Sequence, residues 1–107
     1  MRLRTRFTPH TVQVRDYLGS GGMGERYAAS RAVADVWIVD EQITITTADG
    51  REVVSNTQVS TNIDEIIPLG SLVTVWAGEP GEREAKVERI GVISHRRLPQ
   101  SRTLYLV

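Results

Sequence analysis

The stretch "VADVWIVDEQITITTADGREVVSNTQV", Val33 to Val59, decides the fold. Val36 to Val39 is an apolar run of β-formers. Ile43 and Ile45 then alternate with threonines, the period of a strand with one face buried. Asp49-Gly50 interrupts the run with a strong turn signal, because glycine tolerates positive φ. Val53, Val54 and Val59 mark the return. The stretch reads as a long β-hairpin turning at Asp49-Gly50.

Strand signals continue on both sides. Upstream, Thr11 to Arg15, "TVQVR", alternates apolar and polar residues. Downstream, "TNIDEIIPLG", residues 61–70, reads as a loop with room for one helical turn, ended by Pro68 and Gly70. "SLVTVW", Ser71 to Trp76, is a further strand, and the turn "AGEPGE" leads to its partner, Glu84 to Ile93. "SHRRLPQS" is a polar connection, and Arg102 to Val107, "RTLYLV", closes the chain as a strand with Leu104 and Leu106 on one face. The alanines of "ERYAASRAVA", residues 25–34, make the only helix candidate, and a short turn or strand extension competes with it. The expectation is an all-β fold: six or seven largely antiparallel strands in a small β-barrel or sandwich, with a long glycine-rich loop and little helix.

With 107 residues, 40% of them hydrophobic, the chain suits one domain with one core, residues 1–107, preceded by an extended N-terminal arm of about residues 1–10. The absence of cysteine excludes disulfides and thiolate metal sites. No apolar run approaches the roughly 20 residues of a membrane-spanning helix, so no membrane association is expected. "MRLRTRFTPH" is basic without a following apolar stretch, unlike a signal peptide. Net charge is zero but uneven: residues 1–31 carry +4, residues 32–65 carry −6, residues 66–94 carry −1 and the remainder +3. Basic ends around an acidic middle suit either a molecule with two unlike faces or charges that interleave once the chain folds.

"LGSGGMGERY", Leu18 to Tyr27, imitates the glycine-rich loop of a kinase, with Gly19, Gly21 and Gly24 at G-x-G-x-x-G spacing. Its required companions are missing. Lys86 is the sole lysine and falls in another hairpin, His95-Arg96-Arg97 lacks the catalytic aspartate, and there is no D-F-G. No crossover helix follows, so the stretch is not a dinucleotide fingerprint either. Gly19, Ser20, Gly21, Gly22, Met23 and Gly24 are therefore expected to form a long mobile loop at the rim, either an unconstrained connection or a segment that reorganises on assembly or gates something.

Nothing else calls for an active site. His10 and His95 lack metal-ligand spacing, and the adjacent pairs Asp40-Glu41 and Asp64-Glu65 would point to opposite faces of a strand. Trp37 and Trp76 fall in strands and suit core or inter-subunit packing. The expectation is a non-enzyme with no cofactor and no metal.

Taken as an ordered set, these features resemble the small head-to-tail stopper (head-closure) proteins of long-tailed bacteriophages, those of actinobacteria especially. The resemblance covers most of the chain. It rests on "HTVQV", the glycine-rich segment ahead of a tyrosine, "VWIVDEQ", "ADGREVVSNTQV", "IPLGSLVTV", and a late "LP" before "TLYLV". It implies a β-barrel subunit of a six- or twelve-fold homo-oligomeric ring in the virion, assembled in the host cytoplasm. Its implied partners are the portal–adaptor ring, the tail terminator or tail tube, and packaged DNA in the channel. By analogy, Gly19 to Gly24 is one candidate loop for channel closure or ring contact. Ala48, Asp49, Gly50 and Arg51 form the second. Arg2, Arg4 and Arg6, spaced to share one side of an extended arm, are candidates for contacting a partner or DNA. Two alternatives stay open. One is another tail-junction protein, a tail terminator or head–tail joining protein. The other is a small nucleic-acid-binding barrel using Arg2, Arg4, Arg6, Arg96 and Arg97, against which zero net charge and 6% aromatic residues both weigh.

Overall fold

Alternation along the first strand puts Val12 and Val14 wholly inside and leaves Thr11 and Arg15 outside. The same inward set recurs around a closed wall. The structure is a computed structural model that describes residues 10–22, 24–93 and 101–107. The strands among them are β1 (His10–Arg15), β2 (Tyr17–Gly21), β3 (Gly24–Tyr27), β4 (Arg31–Val39), β5 (Ile43–Thr46), β6 (Glu52–Ser55), β7 (Thr57–Asn62), β8 (Leu72–Val75), β9 (Arg83–Ile93) and β10 (Ser101–Leu106). Six of them close an antiparallel barrel in the order β1-β4-β7-β10-β9-β8, and β2-β3 and β5-β6 form separate two-stranded sheets. The described residues include no helix. The alternative of a sandwich falls away, and the helix candidate at residues 25–34 is instead β3, a short connection and the start of β4.

The long hairpin expected from Val33 to Val59 exists in two nested pieces. β5 and β6 pair across the turn, Ile43 with Ser55 and Ile45 with Val53. Asn56 separates β6 from β7, and β7 then pairs with β4, Ile38 opposite Val59. Simple alternation fails at two places in the wall. Val33 and Val36 are three apart, yet both are buried. Between His10↔Val36 and Val12↔Val33 the register shifts, so β4 spends an extra residue there. Asp35, inside that bulge, takes φ 58°, a left-handed value that aspartate tolerates better than most residues. A second shift, between Tyr105↔Arg89 and Leu106↔Val87, lets Val87 and Ile90 share the inner face of β9.

The core is Val12, Val14, Val33, Val36, Ile38, Val59, Ile67, Val73, Val75, Val87, Leu104 and Leu106. Most are β-branched, stiff at χ1 and suited to a pleated wall, and medium-sized side chains fill the interior of a narrow barrel. Its last strand is central to the sheet: β10 pairs with both β7 and β9, and Leu104 and Leu106 are fully buried. Neither tryptophan is fully buried, although Trp76 packs against the core. Trp37 faces outward on β4, and Trp76 lies just past β8, half-buried, with φ 56°.

Candidate functional site

The glycine-rich stretch, expected as a loop, is a hairpin. Tyr17 pairs with Tyr27, Ser20 with Glu25 and Gly21 with Gly24, with a register shift at Leu18. Glycine is needed at Gly19 and Gly24, where φ is 117° and 97°. The pairing persists through so much glycine because the base of the hairpin is anchored. The Tyr17 backbone N–H donates to the buried Ser71 Oγ at 3.0 Å. The Tyr17 ring covers Gly70, where an added Cβ would come within 3.3 Å of the ring. The rings of Tyr17 and Tyr27 are 5.7 Å apart, and the Arg15 guanidinium lies over Tyr27. Tyr27 Oη donates to Glu25 Oε2 at 2.7 Å, and Lys86 Nζ sits 3.6 Å from Glu25 Oε1. The Tyr27 bond, then Lys86, holds the Glu25 carboxyl below its ordinary range. The same bond pushes the Tyr27 phenol up to about 12.

The second candidate loop, Ala48 to Arg51, is the turn between β5 and β6. Gly50 N–H donates to the Thr47 carbonyl at 3.0 Å with φ 87°, so a residue with positive φ closes the turn. Thr47 Oγ1 donates to Asp49, and Arg51 Nε donates to Asp49 Oδ2 at 2.9 Å. These two partners, the threonine first, hold Asp49 below the usual carboxylate range.

The barrel brings the two hairpins together. They connect different strand pairs, yet Tyr17 and Glu25 of the first and Ala48, Asp49 and Arg51 of the second line one groove, beside Leu69 and the Lys86–Glu88 segment of β9. Its volume, about 280 Å³, falls just below the range of roughly 300–1,000 Å³ typical of small-molecule pockets. Four of its five charges are paired, Glu25 with Lys86 and Asp49 with Arg51, and Glu88 adds a carboxylate. It is a junction between two appendages of the wall. Met23 and Arg2, Arg4 and Arg6 lie outside the described residues, as do His95, Arg96 and Arg97.

Two side-chain hubs escaped sequence reasoning. Asp40 accepts from Thr57 Oγ1 at 2.9 Å, Trp76 Nε1 at 3.1 Å and Arg83 Nη2 at 2.5 Å, and Arg83 also meets Thr57 Oγ1. Burial works against the charge, but those three donors win and hold Asp40 below its usual range. Arg31 is gripped by Asp16 and Glu65, which raise its pKa, and donates to the Ile66 carbonyl. The available signal was position. Asp40, Trp76 and Arg83 each stand at or just beyond a strand end, and antiparallel strand ends converge on one rim. Among the described residues, no group of three or more His, Asp or Glu is placed to hold a metal ion. No described helix is long and apolar enough to cross a membrane. No protein-family model matches the chain, and no curated protein is significantly similar to it.

Proposed function

We propose that this chain is a structural, non-catalytic subunit of the head–tail connector of a long-tailed bacteriophage, forming a stopper ring. That ring would lie between the portal–adaptor stack and the tail, help to retain packaged DNA and offer the tail a docking surface. The observation that carries the proposal is a closed small barrel whose two candidate loops are hairpins outside the wall, meeting at one groove. A closed barrel has no edge of its own for lateral association. The hairpins β2-β3 and β5-β6 do: among the described residues their outer edges are unpaired. This supplies what a ring subunit needs, a rigid body and edges to offer its neighbours. The ordered sequence resemblance points the same way.

The test is electron microscopy and mass photometry of the purified protein, alone and with its adaptor complex. A ring that stacks on the adaptor is expected, with amide exchange at residues 19–22 slowing on assembly. A ring that binds only tail tube would make it a terminator. A persistent monomer that binds DNA tightly would overturn the proposal in favour of a nucleic-acid-binding barrel.

A further inference from the structure

At the rim where β4 and β8 finish and β7 and β9 begin, a groove of about 220 Å³ runs between His10, Ile38 and Trp76, with Glu79 on its bank. Its wall is aromatic. The His10 ring stands 4.9 Å from Trp76, edge to face, and 6.0 Å from Trp37, which is 45% exposed. The groove is also held in shape. Ile38 N–H donates to His10 Nδ1 at 3.1 Å, and the Trp76 indole donates to Asp40. Trp76 keeps a left-handed backbone, φ 56°, that an aromatic residue rarely adopts unless its surroundings impose it. Asp40 and Arg83 neutralise one another. Glu41, Glu79 and Glu82, on the two segments that frame the groove, have no cationic partner among the described residues and leave the rim at −3.

The segment that joins this groove at His10 has the complementary composition. Residues 1–9 carry Arg2, Arg4, Arg6 and Phe7, a charge of +3 with one aromatic ring. Nine residues reach at most about 30 Å, far enough to meet an adjacent subunit. Guanidinium groups stack on tryptophan faces and pair with carboxylates, and this groove offers both. We propose that the arm of one copy, residues 1–9, docks in the aromatic–acidic groove of another, its arginines against Trp37, Trp76 and the three glutamates. The docking rests on the ring assignment only in requiring a neighbour.

Trp37 and Trp76 are the only tryptophans in the chain, so tryptophan emission reports on Trp76 in the groove and on Trp37 beside His10. The full-length R2A/R4A/R6A variant supplies an intact groove without a charged arm, and a synthetic peptide of residues 1–9 is the probe. Saturable change in the variant's emission is expected. Affinity should fall about two- to fivefold for each of Glu41→Gln, Glu79→Gln and Glu82→Gln, the size of an exposed ion pair, and should weaken with salt. Emission of the parent should change with concentration as it assembles, and the variant's should not. Absence of saturable peptide binding overturns the proposal. So does a parent whose emission differs from the variant's equally at every concentration, which would place the arm on its own chain. Rings formed by the variant with the parent's emission would leave the ring assignment standing and overturn the docking. Peptide binding together with arm-dependent dimers of the parent, and no ring, would do the reverse.

Discussion

Replacing Asp40 with alanine removes one acceptor that serves three donors from three parts of the chain: Thr57 on β7, Trp76 after β8 and Arg83 on β9. The Arg83 pair is 40% and 48% exposed at its two side chains, so solvent screening limits it to about 0–1 kcal/mol. The two neutral donors lose a charged acceptor at a half-exposed site, about 0.5–1 kcal/mol each. The expected loss is about 2 kcal/mol, or roughly 8–16 °C in Tm for a domain of this size. Urea unfolding followed by circular dichroism should show a lower midpoint with an unchanged m-value, and native tryptophan emission should shift because the Trp76 indole loses its partner. The pH dependence has a definite sign. The folded carboxyl titrates below its unfolded value. Its stabilisation is therefore present above the unfolded value and lost as pH falls through the folded one. Asp40→Ala should erase that part of the acid dependence while leaving behaviour at neutral pH uniformly weaker. A midpoint within experimental error of the parent, together with unchanged emission, would refute the idea that Asp40 ties the rim together.

Gly70→Ala should destabilise more than Gly50→Ala, measured by denaturant midpoint. Both glycines have positive φ, worth about 1–2 kcal/mol, but only at Gly70 does the new Cβ meet a ring, that of Tyr17 at 3.3 Å. Equal losses would show that Tyr17 yields freely. Glu25→Gln should bring the Tyr27 phenol down from about 12 toward the ordinary tyrosine value of 10.0. Ultraviolet absorbance titration would read this directly, and an unmoved high-pH phenol would contradict the role given to Glu25.

The strands were legible where side-chain alternation is clean, as at Val12 and Val14, Ile43 and Ile45, or Leu104 and Leu106. They were less legible at β4 and β9, because a bulge changes which residues share a face, and nothing in "VADV" marks the extra residue. The glycine-rich stretch misled for a physical reason. Its pairing depends on Tyr17 being fixed from outside, by Ser71 and Gly70, and contacts more than 50 residues apart leave no local trace. The turn at Asp49-Gly50 was legible and the hairpin at Gly19 to Gly24 was not, and the groove the two share is a product of barrel closure. The Asp40 hub was similarly hidden, since a carboxylate at the end of a strand looks the same whether it faces water or three donors.

The place of β10 in the wall has a bearing on how the barrel is made. Strands β7 and β9 each find a full partner only in residues 101–106, which lie between them. On the ribosome, the earlier strands can form hairpins with their sequence neighbours, but the sheet keeps a one-strand gap and the core lacks Leu104 and Leu106 until that segment emerges. Closure is therefore a late, all-or-none event that joins distant parts of the chain, the kind of step that slows folding. Before it, β7 and β9 expose unpaired edges, so the nascent chain is most vulnerable to aggregation just before its final ladder is in place.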